Sequence, residues 1–315
     1  MAKKEVKSNK NWIIIIVVIL IIGFISLVFA GVLSLFTGSS SMSSISVGNV
    51  AVIPVKGVIV TEGGGFGFTE YAVSGEIIDL IEKADNNPSV KAIVFEINSP
   101  GGSAVASEEI GHAIKKVDKP TVAYIREVGA SGGYWVASAT DRIFANRMSI
   151  TGSIGVIGSY LEFSGFLERY NITYQRLVSG KYKDAGSPYK KLSPIEEQLI
   201  QEQLDLIRDY FVDEVAENRD IDRNRIDELA TGMFYIGSKA KDFGLIDEIG
   251  GEDVVKAYLE KELNMTVNFV NMQKEKSFLE VLAQAMSQQS FWVGKGIGDT
   301  LLEPPRQVQQ VNVWA

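Results

Sequence analysis

The chain has no cysteine and a single histidine among its 315 residues. The first absence excludes disulfides and thiolate nucleophiles, and the second argues against a metal site built on imidazoles. The one histidine, His112, falls on an expected helix whose apolar positions are Ile110, Ala113, Ile114 and Val117. That places it on the solvated face with Glu108, Glu109, Lys115 and Lys116. Positive charge is also short. The formal net charge is −8, and the basic first eleven residues carry +3, which leaves −11 on the rest. So acidic a body is a poor partner for nucleic acid.

What the sequence does contain is a run of twenty-five uncharged, mostly apolar residues from Trp12 to Phe36. That is long enough to cross a hydrocarbon core of about 30 Å as a helix. Lys3, Lys4, Lys7 and Lys10 precede it and no charge follows until Lys56. This asymmetry predicts a single-pass anchor in the cell membrane, with residues 1–11 cytoplasmic and the remainder extracytoplasmic. The motif "VFA" (28–30) would suit cleavage of a signal peptide, but the apolar run continues past it. A Ser/Gly linker (37–48) then separates the bilayer from a folded domain expected over 49–272. The tail (273–315) is expected to hold a helix and a Pro- and Gln-rich, loosely held end.

Within the domain, strands are expected at 49–60 (one or two), 90–97, 121–125 and 142–146. Helices are expected after Ser74 as N-cap, at 103–117 and after residue 133. Alternating strands and helices with nearly continuous apolar runs predict an α/β domain on a largely parallel sheet. A glycine-rich loop fills 61–70. Further on come a strand "ITYQRLV" (172–178), a long amphipathic helix (194–219) striped by Leu199, Gln203, Leu206, Tyr210, Val212 and Val215, a helix near 252–262 and a strand at 266–270.

One stretch invites chemistry. In "EVGASGGY" (127–134), Ser131 stands among glycines where an expected strand turns into an expected helix. It could simply cap that helix. It could equally be a nucleophile, exposed by the turn and flanked by free backbone N–H groups. "GASGG" fits the nucleophile-elbow pattern, but the fold that uses it places histidine after serine, and His112 comes before. The base that activates Ser131 must then be a carboxylate or a lysine, and burial can lower a lysine's affinity for its proton. Composition does not choose among Lys115, Lys116, Lys119, Lys181, Lys183, Lys190 and Lys191. Lys181 and Lys183 would point to opposite faces if the preceding strand continued.

"FEINSPGGSA", "REVGASGGYWVAS", "TGSIGVIG", "SGKYKDAGSP" and "GLIDEIGG", in this order, resemble the signal peptide peptidase A family over about Asn49 to Gly251. The resemblance implies a Clp/crotonase-like fold of repeated strand-strand-helix units and a serine endopeptidase that needs no cofactor or metal. It implies Ser131 as nucleophile, Lys183 as general base, and Ser153 as the hydroxyl that orients the lysine. The N–H groups of Gly102 and Gly132 would form the oxyanion hole. It also implies peptide substrates such as remnant signal peptides. Longer family members carry two repeats, so a chain with one copy of the motifs is expected to form a ring-shaped homo-oligomer. In such a ring Ser131 would meet Lys183 of a neighbour. Two other functions stay open on the same fold: an acyl-CoA hydratase, disfavoured by the export topology, and a non-catalytic membrane scaffold that binds partners.

Overall fold

The computed structural model describes residues 19–24, 26, 48–63 and 71–273. Of the expected span, residues 19–24 and 26 are helical, and Ile19, Leu20, Ile21, Ile22 and Phe24 are exposed. The rest of the span, residues 1–11, the linker to residue 47, most of the glycine-rich loop and the tail from 274 lie outside the described residues. Among the described residues no helix is long and apolar enough to cross a membrane.

Among the described residues ten strands follow one another: β1 (Val50–Lys56), β2 (Val58–Val60), β3 (Tyr71–Val73), β4 (Ala92–Ser99), β5 (Thr121–Ala130), β6 (Arg142–Ala145), β7 (Ile150–Gly152), β8 (Phe234–Ile236), β9 (Glu248–Ile249) and β10 (Phe269–Asn271). The main sheet runs β10-β1-β4-β5-β6-β9 in parallel, as the continuous apolar runs predict. β2 and β3 form a small parallel pair beside it.

Strict alternation sorts the strand side chains. Ala51, Ile53 and Val55 face a core shared with the helices Ser74–Asp85, Ala104–Ile114 and Gly132–Ser138, while Val50 and Val52 face the helix Glu252–Leu263 through Val255 and Leu259. Ile53, Phe95 and Ile125 are fully buried, each burial contributing about 1.5–3 kcal/mol. The long helix Pro194–Arg219 starts at the expected residue. Ser193 and Glu196 form a capping box, and proline occupies the first turn. Its buried stripe agrees with the expected one at Val212 and Val215, which enter the core with Phe211, and differs at Gln203, Leu206 and Tyr210, which are exposed.

Three other expectations are corrected. β5 is twice as long as predicted, because after its first half pairs with β4 and β6, Val128–Ala130 pair with β7. Ser74 is not an N-cap. Val73 holds that position, and the Ser74 hydroxyl donates instead to Glu109 at 2.6 Å. Residues 172–178 form no strand, since no neighbouring edge among the described residues pairs with them, and their side chains are exposed.

Candidate active site

β5 runs into the helix Gly132–Ser138 with only Ser131 between them. Ser131 adopts φ 52, ψ −124, a strained conformation for a residue with a side chain. Its N–H donates to the Gly152 carbonyl at 2.8 Å, and its own carbonyl accepts from Tyr134 and Trp135. The backbone is thus held on both sides, while the hydroxyl makes no capping bond to the helix. The capping role that the sequence left open is therefore not the one the hydroxyl plays here.

The turn after β4 passes directly alongside. The Ser99 hydroxyl accepts from the Gly101 N–H at 3.1 Å, and Ile59 brackets Gly102 by accepting from Ser103 and donating to Gly101. A Cβ on Gly102 would sit 2.1 Å from the Ile59 carbonyl oxygen, so only glycine fits. A Cβ on Gly132 would meet the Ser107 Oγ at 2.2 Å and would lie 3.4 Å from the Gly102 nitrogen. The two glycines are therefore neighbours. Among the described residues neither of their N–H groups has a protein acceptor. Two unpaired donors beside a free hydroxyl make an arrangement suited to a developing oxyanion. Ser107, buried and bonded to the Ser103 carbonyl at 2.9 Å, is a supporting residue that the sequence alone did not single out.

Ser131, Gly102, Gly132 and Ser153 line one cleft of about 730 Å³. Trp135, Phe211 and Leu204 give it an apolar floor, and Asp205 and Arg208 sit on its long-helix wall. Trp135 stacks on Phe211 with centroids 4.6 Å apart, which ties the Ser131 helix to the long helix. Ser153 has φ 52, its N–H donates to the Met233 carbonyl, and its hydroxyl donates to the Gly232 carbonyl at 3.1 Å. "GLIDEIGG" acts from below: the buried Tyr134 hydroxyl donates to the Leu245 carbonyl, and Asp247 accepts from Ile143 and from the Arg219 guanidinium. Burial pushes the Tyr134 phenol up, keeping it a neutral donor.

Lys183 does not line this cleft. It lies in a run of turns within the lobe formed by residues 156–192, which precede the long helix in the chain; it is exposed, and among the described residues its ammonium makes no ion pair. Lys181 is exposed too. Its ammonium lies 4.9 Å from the centroid of the Tyr182 ring, and the Tyr182 side chain beside it raises its pKa, which keeps it protonated and so unavailable as a base. The lobe also exposes Ile157, Leu161, Phe166, Tyr170 and Leu177, the first and last by 90% and 87%. His112 is exposed on its helix, 3.6 Å from Glu214 and outside the cleft's lining, as its helical position predicts.

Residues 113–266 match the family model for peptidase family S49, and residues 50–162 match that for the NfeD1b N-terminal domain. A protein predicted to be signal peptide peptidase SppA in Enterococcus faecium is 34% identical over 254 residues, covering 79% of this chain and 72% of the relative. A predicted protease of Methanocaldococcus jannaschii is 32% identical over 71% of this chain and 72% of its own. Protease 4 of Haemophilus influenzae is 32% identical over 64% of this chain but only 32% of its own length.

Proposed function

The chain belongs to the signal peptide peptidase A family of S49 peptidases and is a serine protease, and on that premise we propose that it is a membrane-anchored endopeptidase working through a Ser131–Lys183 dyad. The observation that carries this reading is the free Ser131 hydroxyl beside the unpaired N–H groups of Gly102 and Gly132 in one apolar-floored cleft. Neutral Lys183 takes the Ser131 proton as the oxygen attacks the scissile carbonyl. The carbonyl oxygen becomes an anion against the two glycine N–H groups, a donor pair worth about 3 kcal/mol each. The lysine then protonates the leaving amine, and water activated by the same lysine releases the acyl enzyme. Ser153 turns its hydroxyl from the Gly232 carbonyl to the lysine once that lysine arrives.

Lys183 arrives from a neighbouring protomer. Its absence from the cleft lining of its own chain, together with the apolar side chains exposed around it, supports a ring-shaped homo-oligomer in which each lobe covers the next subunit's cleft. The exposed apolar helical residues 19–24 support the anchor, which would keep the cleft near the outer face of the bilayer where remnant signal peptides emerge. The test is mass spectrometry of the full chain after treatment with a serine-directed phosphonate. Label on Ser131 alone, abolished in Lys183→Ala, is expected; an active preparation labelled elsewhere overturns the assignment.

A further inference from the structure

The turn that carries Lys183 is short of ordinary support. Its backbone bonds are turn contacts from Lys183 to Gly180, from Ala185 to Tyr182 and from Ser187 to Asp184, and Tyr182 and Leu177 face outward. One chain of charged side chains does hold it. Arg176 grips Asp184 with both ends of its guanidinium, at 2.6 and 2.9 Å. Lys190 lies 3.5 Å from the same carboxylate and 2.6 Å from Glu196. The other oxygen of Glu196 accepts from the Ser193 N–H and hydroxyl at 2.9 and 2.8 Å, inside the capping box of the long helix. The Asp184 and Glu196 side chains are only 9% and 6% exposed, the first on the lobe and the second on the long helix.

We propose that Arg176, Asp184, Lys190 and Glu196 form a charged strut that positions Lys183 for catalysis, an inference that rests on Lys183 being the base. Asp184 is the next residue after Lys183, so fixing its carboxylate fixes the turn that aims the lysine. Glu196 is in the first turn of the helix whose Phe211 stacks on Trp135, so the strut ends on the body that holds Ser131. Asp184 is thus paired to Arg176 and Lys190 and leaves Lys183 unpaired.

The strut is tested in the full-length protein with Lys190→Met, Lys190→Arg, Asp184→Asn and Lys183→Ala. Lys190→Met and Asp184→Asn should lower kcat about tenfold to a hundredfold through misaligned proton transfer. KM should change less than about twofold, and melting temperature and assembly should hold. Amide exchange at 180–187 should quicken in Lys190→Met. Lys190→Arg, which keeps both ion pairs and cannot serve as a base, should retain most of kcat. If Lys190→Met unfolds, the near-isosteric Asp184→Asn decides. Wild-type kcat in Asp184→Asn beside an inactive Lys183→Ala overturns the strut and leaves the dyad standing. Loss in Lys190→Arg as large as in Lys190→Met also overturns it. An active Lys183→Ala refutes the dyad, and the strut's positioning role falls with it.

Discussion

Ser131 and Lys183 sit in opposite kinds of structure. Ser131 follows a ten-residue strand that is buried at both ends, is held through its own N–H and carbonyl, and opens a helix of seven buried residues. Lys183 rides on turns in a lobe whose apolar side chains face solvent, secured by ion pairs rather than by a core. The geometry at Ser131, the proposed nucleophile, is therefore a property of one folded chain. The geometry at Lys183, the proposed base, depends on a few polar contacts and, in the assembly proposed above, on a neighbour.

Changes at the two chemical groups should have the largest effects. Lys183→Ala and Lys183→Arg should each lower kcat by at least about a thousandfold, because arginine keeps its proton. The protein should still melt at the wild-type temperature, since an exposed lobe residue carries no core packing. Burst kinetics and calorimetry on the same preparations check both halves.

Gly132→Ala tests the sheet side. Its Cβ would press on the Ser107 Oγ at 2.2 Å, so the oxyanion turn must shift, with an expected loss of about 10²–10³ in kcat. Adding Ser107→Ala leaves the nearest contact at 3.3 Å, from Cβ, and should recover part of the rate. A double variant no better than the single would show that Ser107 is not the obstacle.

A stability pair sharpens the contrast. Trp135→Ala should cost about 3–5 kcal/mol by emptying the stack on Phe211. Leu177→Ala, 87% exposed in the chain, should leave monomer unfolding unchanged and weaken self-association, measured by denaturant titration and sedimentation. Equal destabilisation by both would erase the distinction between the two regions.

The smallest effect is acid sensitivity confined to the lobe. Hydrogen bonds from Arg176 hold the Asp184 carboxyl down at about 2, and those from Lys190 and Ser193 hold Glu196 at about 2. Both values lie below the unfolded range near 4, so their contribution is complete above about pH 4 and is lost as pH falls towards 2. Lys190, raised mainly by its bond to Glu196, acts at the other end. Its contribution is present below its ordinary value and lost as strong alkali removes its proton. Exchange at 180–187 should therefore be flat from pH 5 to 9 once intrinsic rates are divided out, and should rise before the sheet amides do in acid.

The same contrast explains what could be read in advance. β1, β4 and the start of β5 are runs of Ile, Val and Ala whose burial on both faces leaves one interpretation, and the glycines beside Ser131 announce a turn that forbids side chains. The second half of β5 was missed because Arg126 and Glu127 resemble a loop, although β7 supplies the pairing there. At 172–178, Ile172, Tyr174, Arg176 and Val178 alternate like a strand that has no partner edge among the described residues. The strut joins residues six to eight positions apart through chain reversals, which no periodicity reports. Only its last link, the Ser193–Glu196 capping pattern, was open to detection.

Whether the base crosses between protomers is the central claim, and subunit exchange tests it most directly. Ser131→Ala and Lys183→Ala proteins, each inactive, are dissociated, mixed in equal amounts and reassembled, with exchange confirmed by native mass spectrometry. If each site takes its serine from one chain and its lysine from the next, about one interface in four holds both intact groups, and about a quarter of wild-type activity returns. Mixed assemblies that stay inactive would contradict the shared site and return the dyad to a single chain.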